Sequence, residues 1–200
     1  MNKQLMILLI GRIITNFSDS LYMIATVWFV KTMTDSAFLI GLTSAIAMLP
    51  VTIQFLYGPI IDRFSKRRIL YIACIGQGIL VSIISLLYVT DMLWLPILFI
   101  LLFVALSLSE ATYPTESALI ENLASRDQLT KVNSIFAFSY QSLDIICDAI
   151  SGILIALVGL GIVYISNSIM LICTGLMFFF YLKIPKSNKV KKKNLQPYLS

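Results

Sequence analysis

Arg12, Asp19, Glu110, Asp144 and Asp148 are charged residues set inside long apolar runs of the chain. An ionisable group in hydrocarbon is costly, and it usually faces a protein interior or a watery cavity. These five are therefore the first candidates for binding or moving charge. Arg12, Asn16, Asp19 and Met23 recur at helical spacing and fall on one face. Ser134, Gln141, Asp144, Asp148 and Ser151 do the same further on. Two polar stripes in an otherwise apolar bundle point to a shared polar interior.

The residue types limit the chemistry. Asp144 and Asp148 are one helical turn apart, so their titrations are coupled. That suits a site that loads and releases a proton, or one that binds a cation; a plain hydrogen-bonding role between helices is the alternative. Arg12 lies about 10 Å into its helix and Asp19 about 21 Å, at ~1.5 Å per residue. Glu110 falls near the depth of Arg12, so an Arg12–Glu110 ion pair is expected; otherwise Arg12 snorkels to the headgroups and Glu110 faces water. No catalytic residue, cofactor or metal site is expected. The sequence has no histidine, and no Gly-x-x-x-x-Gly-Lys-Ser/Thr loop to cradle ATP. Cys74, Cys147 and Cys173 each sit in an apolar run without ligand spacing, and they read as small packing residues.

The elements that must position these groups follow from composition. The chain is 58% hydrophobic and 12% charged, with a mean hydropathy of +0.91. A water-soluble domain normally carries about 25% charge, so this apolar surface must face lipid. Six apolar segments run approximately from Gln4 to Val30, Ser36 to Ile61, Ile69 to Thr90, Met92 to Pro114, Val132 to Leu157 and Gly161 to Leu182. Each is long enough to cross a ~30 Å hydrocarbon core as a helix. The first is too long and too polar for a cleaved signal peptide.

The basic residues orient the segments. Arg63, Lys66, Arg67, Arg68, Arg126, Lys131 and six lysines from Lys183 to Lys193 lie on one side; Lys31 lies on the other. By the positive-inside rule the first side is cytoplasmic, and so are both termini. Membrane topology thus accounts for the net charge of +5 better than nucleic-acid binding does. Residues 1–184 are expected to form the bundle. Residues 185–200 form a basic cytoplasmic tail lying near anionic lipid. The expected fold is all-α and integral to the cell membrane, with six helices as two inverted three-helix repeats.

The loop after the second segment reads Gly58-Pro59-Ile60-Ile61-Asp62-Arg63-Phe64-Ser65-Lys66-Arg67-Arg68. It resembles the cytoplasmic signature of the major facilitator superfamily, G-x-x-x-D-R-x-G-x-R-R. Gly58, Asp62, Arg63, Arg67 and Arg68 match it, and Ser65 stands where the family usually has glycine. The resemblance implies a conformational gate built from these residues, with Gly58 allowing two backbones to pack closely. Other stretches resemble the drug- and macrolide-efflux branch. They include Gly11-Arg12-Ile13-Ile14 through Asp19, Thr34-Asp35-Ser36-Ala37 with Gly41, and Leu49-Pro50. Pro114 with Ala118-Leu119-Ile120, and Leu129 with Val132-Asn133-Ser134, extend the likeness over nearly the whole chain.

Two departures bear on function. Asp148 stands where antiporters of the family often carry a proline, in Cys147-Asp148-Ala149-Ile150-Ser151-Gly152. The family's usual twelve helices are here six, matching an N-terminal half. The resemblance therefore implies ion-gradient-driven efflux of a small molecule, through a cavity shared with a C-terminal half or a second copy. The coupling ion would be a proton or another cation. Arg12, Asn16, Asp19 and Glu110 would line or brace the cavity. The rival reading is a non-transporting membrane protein, either truncated or docking on a full-length transporter.

Overall fold

A computed structural model of the chain describes residues 2–184. Helix α1 (Lys3–Met33) opens with Asn2, whose side chain accepts from the Gln4 N–H at 3.4 Å. Thr34 is extended and ends it. Ser36 then caps α2 (Ala37–Thr52) by accepting from the Leu39 N–H. Both caps satisfy amides that the first helical turn leaves without partners.

The second apolar segment is not one straight helix. After α2 comes a tight turn, Gln54–Tyr57, and then a short α3 (Gly58–Arg63), with a bend of 40° across the break. Pro50 and Pro59 explain it, because neither has an N–H to donate to the carbonyl four residues back. Helix α4 (Lys66–Val89) follows Ser65 and runs to a reversal at Asp91. Asp91 takes the left-handed conformation (φ 54°), which aspartate tolerates better than most residues. The fourth segment is α5 (Leu95–Glu110) followed by α6 (Thr112–Leu123), separated only at Ala111. The sequence reading ended this segment at Pro114. Proline in the first turn of a helix costs nothing, however, since the amides there have no intrahelical acceptor. The expected loop from Thr115 to Lys131 is therefore mostly helix.

Helix α7 (Leu129–Tyr181) is broken at Gly159, whose φ of 80° and ψ of 160° no helix contains. Glycine fits there because it lacks the Cβ that disfavours positive φ. The two arms fold back on each other. Val132 and Phe136 at the start share a cluster with Phe178 and Leu182 at the end. That cluster also takes in Leu5, Leu8, Leu70 and Leu119, and closes the basic end of the bundle. A second cluster of Tyr22, Phe29, Val81, Leu98, Leu102 and Tyr164 fills the other end.

The described residues thus make an all-α bundle. It has four helices long and apolar enough to cross a membrane, or five when α2 and α3 count as one broken span.

Close packing joins α4 to the second arm of α7. A Cβ on Gly78 would meet the Ile172 side chain at 2.7 Å, and one on Gly175 would meet Ile75 at 2.5 Å. Each helix thus offers one glycine to the other's isoleucine. Small residues of this kind let helices approach closely in lipid. Ser168 fastens the contact by donating to the Gly78 carbonyl at 3.0 Å.

Candidate functional site

Arg12 reaches across the bundle to Glu116 on α6. Its Nε and Nη2 both lie 2.6 Å from Glu116 Oε2, and both side chains are buried. The expected partner, Glu110, does not fill this role. It lies at the end of α5, whereas Glu116 sits on the continuation of the helix beyond Pro114. The snorkelling alternative fails too, since Arg12 is buried within the bundle. Arg12 also stacks over the Tyr113 ring, 3.9 Å from its centroid. Asn16 Oδ1 accepts from Arg12 Nη1 at 3.5 Å and from the Tyr113 hydroxyl at 3.4 Å.

Asp19 continues the column deeper into the bundle. Its carboxylate accepts from Gln77 Nε2 at 2.5 Å and from Ser109 Oγ at 2.6 Å. One acid on α1 therefore ties α4 and α5 together. Nearby on α1, Asn16 Nδ2 and the Tyr22 hydroxyl are buried without a hydrogen-bond partner.

Beside the Arg12–Glu116 pair lies a cavity of about 570 Å³. Arg12, Gln54, Glu110, Tyr113, Glu116 and Tyr140 are among the residues that line it. Gln54 sits in the break between α2 and α3, and Glu110 at the break between α5 and α6. Gln54 Nε2 donates to Glu110 Oε2 at 3.3 Å and approaches its carbonyl at 3.5 Å. The breaks in two interrupted helices are therefore linked at the cavity wall by the Gln54 side chain. Tyr113 and Tyr140 pack edge to face there, with centroids 5.6 Å apart.

The signature loop is described in full. Ser65 N-caps α4, accepting from the Arg68 N–H at 3.2 Å. Its φ of −67° needs no glycine, so the departure from the family pattern supplies a cap. Arg67 Nε donates to the Phe178 carbonyl at 3.3 Å, and Arg67 Nη2 to the Phe179 carbonyl. The Phe178 carbonyl also accepts from the Leu182 N–H at 3.3 Å, so Arg67 adds a second donor there and serves the Phe179 carbonyl beside it. Lys66 donates to the Ala118 carbonyl at 3.1 Å. Asp62, Arg63 and Arg68 are exposed. The close-packing role expected of Gly58 is not met among the described residues, since a Cβ there would meet nothing within 4 Å.

Of the second polar stripe, the described side chains are divided between buried and exposed positions. Ser151 is buried and donates to the Cys147 carbonyl at 2.5 Å, whereas Ser134 and Gln141 are exposed. Asp144 and Asp148 fall on α7, and their side chains lie outside the described residues, as does the tail 185–200. Cys74 and Cys147 are buried, but Cys173 is exposed and does not pack as expected.

Sequence reasoning missed Glu116, Tyr113, Gln77, Ser109 and Gln54. A signal for Glu116 was present. Thr112, Thr115, Glu116, Leu119 and Ile120 are buried at helical spacing, continuing the amphipathic period past Pro114.

Among the described residues, interrupted helices and a charged, aromatic cavity beside them define a multi-pass membrane bundle. Residues 8–198 match the model of the Major Facilitator Superfamily, and the chain belongs to that superfamily. It is accordingly a plasma-membrane transport protein rather than an enzyme. Comparison with curated proteins and with solved structures gives no match.

Proposed function

We propose that the chain is a six-helix half of a secondary transporter that exports a small, drug- or macrolide-like molecule. The observation that carries this reading is the polar column of Glu116, Arg12, Asn16 and Asp19 beside the cavity. Charged groups so placed in lipid are expensive to keep unless they serve a solute path. In this reading the first arm of α7, residues 129–158, is the fifth crossing and its second arm the sixth. The two sets of three crossings form inverted repeats, and both termini are cytoplasmic.

Alternating access arises by rocking against a second half, either a C-terminal six-helix partner or another copy of this chain. Exposed cavity residues such as Glu121 and Asn133 face that half. An ion gradient drives export, with Asp19, Asp144 and Asp148 as the groups that carry a proton or cation. Gly58, Asp62, Arg63, Arg67 and Arg68 form the cytoplasmic gate. The basic tail rests on anionic lipid.

Efflux of a fluorescent macrolide conjugate is the test, measured in cells expressing the chain alone and with a matching C-terminal half. Efflux only with the partner supports assembly of two halves. Efflux from the chain alone supports a homodimer. Absence of efflux of any of a panel of solutes in both, with the protein in the membrane, would overturn the transport reading in favour of a non-transporting partner.

A further inference from the structure

We infer that Glu110 is the cation-recognition group of the cavity, and that it selects a monovalent, aromatic or amphipathic organic cation by displacing the amide of Gln54. The inference rests on the transport reading of this cavity and names its substrate class.

The charges on the cavity wall lead to it. Among the described lining residues Arg12 is the one cationic group, against Glu110, Glu116 and Glu121. Arg12 is closed onto Glu116 at 2.6 Å and stacked on Tyr113, so neither charge of that pair is left for a ligand. Glu121 is exposed at the mouth, where water screens it. Glu110 is half-buried, and Gln54 meets it with a neutral donor at a long 3.3 Å. A neutral amide at that distance offsets little of a carboxylate's charge, whereas an ammonium or phosphonium centre offsets all of it.

The remaining wall suits the body of such a cation. Tyr140 and Phe136 lie beside Tyr113, and Val51 and Ile120 add apolar surface. Aromatic faces attract organic cations, particularly where water is thinned. A cavity of about 570 Å³ also falls within the ~300–1,000 Å³ of sites for drug-sized ligands.

Gln54 makes recognition more than adhesion. It stands in the 40° break between α2 and α3 and holds the break between α5 and α6 through Glu110. A cation that takes the carboxylate releases that side-chain contact between the two breaks, while the packing of α2 on α5 remains.

Equilibrium binding of tetraphenylphosphonium to the full-length chain, purified in detergent, tests this. Tetraphenylmethane-type neutral analogues serve as the comparison, and circular dichroism and gel filtration report folding. Saturable binding of the cation in preference to the neutral analogue is expected. Glu110→Gln should weaken it by at least about tenfold, and Glu110→Asp by less. Gln54→Ala should tighten it about threefold, because the competing donor is gone. Asp127→Asn, on the exposed turn before α7, should leave it unchanged.

Equal binding of cation and neutral analogue, unchanged affinity in a folded Glu110→Gln, or no saturable cation binding by the wild-type chain would each overturn the inference. Those results leave the transport reading standing if cells still export other solutes. Conversely, Glu110-dependent cation binding without efflux of any solute sinks transport and leaves the recognition site intact.

Discussion

Arg12 and Glu116 stand 104 positions apart in sequence and meet at 2.6 Å in the buried centre of the bundle. Their contact joins α1 to α6. In low dielectric, removing one partner of such a pair strands the other, at a cost of about 3–5 kcal/mol. Glu116→Ala and Arg12→Ala are therefore expected to lower the unfolding midpoint of the detergent-solubilised protein sharply. Arg12→Glu combined with Glu116→Arg should recover part of the loss. Arg12→Glu combined with Glu110→Arg should recover none, which separates this pair from the one the sequence favoured.

That misassignment shows which parts of the fold were legible. Apolar run lengths located the long helices, though not α6 or the break before α3, because burial in lipid imposes a composition that is visible without a partner. The reversals at Asp91 and Gly159 were legible for the same reason: short polar or glycine-bearing gaps between long apolar runs. The interior of the site was not. Which acid meets Arg12 depends on where a helix stops, and Pro114 is a poor stop signal in a first turn. Gln77, Gln54 and Ser109 are neutral residues on three different elements. Nothing in their spacing reveals that Asp19 or Glu110 will accept from them.

Packing of α4 on the second arm of α7 sets the next expectation. Gly78→Val and Gly175→Val each drive a side chain into an isoleucine and nearby backbone, and overpacking of this kind costs about 1–3 kcal/mol. Gly41→Ala and Gly58→Ala meet open space and should stay within about 0.5 kcal/mol of the wild type. Thermal unfolding in detergent distinguishes the two groups. Should Gly58→Ala lose transport at unchanged stability, its role lies in gating or against a second half, rather than in this chain's own packing.

Ser65 gives a finer test of the signature loop. Its side chain caps α4, and loss of an N-cap costs about 1 kcal/mol on replacement by alanine but only a few tenths on replacement by glycine. Ser65→Gly, which restores the usual family residue, should therefore be nearly neutral in stability, with Ser65→Ala clearly worse. The reverse order would mean that the backbone at this position carries strain that the φ of −67° does not indicate.

Arg67 holds the last carbonyls of α7, and the consequence reaches the exit of the chain from the membrane. With Arg67→Ala, the Phe179 carbonyl loses the Arg67 donor and the Phe178 carbonyl keeps only the Leu182 N–H, and the final turn should fray. Hydrogen exchange of the amides from about residue 178 to residue 184 should rise by roughly tenfold, corresponding to ~1.4 kcal/mol in local opening. Amides in the middle of the second arm, near Ser168 and Ile172, should not change, because the glycine–isoleucine contacts hold them. Arg67→Lys should recover only part of the protection. A single ammonium lacks the planar fork that lets one guanidinium serve two carbonyls at once. Uniform loss of protection along the whole arm would instead show that Arg67 supports the α4–α7 interface itself, and the capping account would fall.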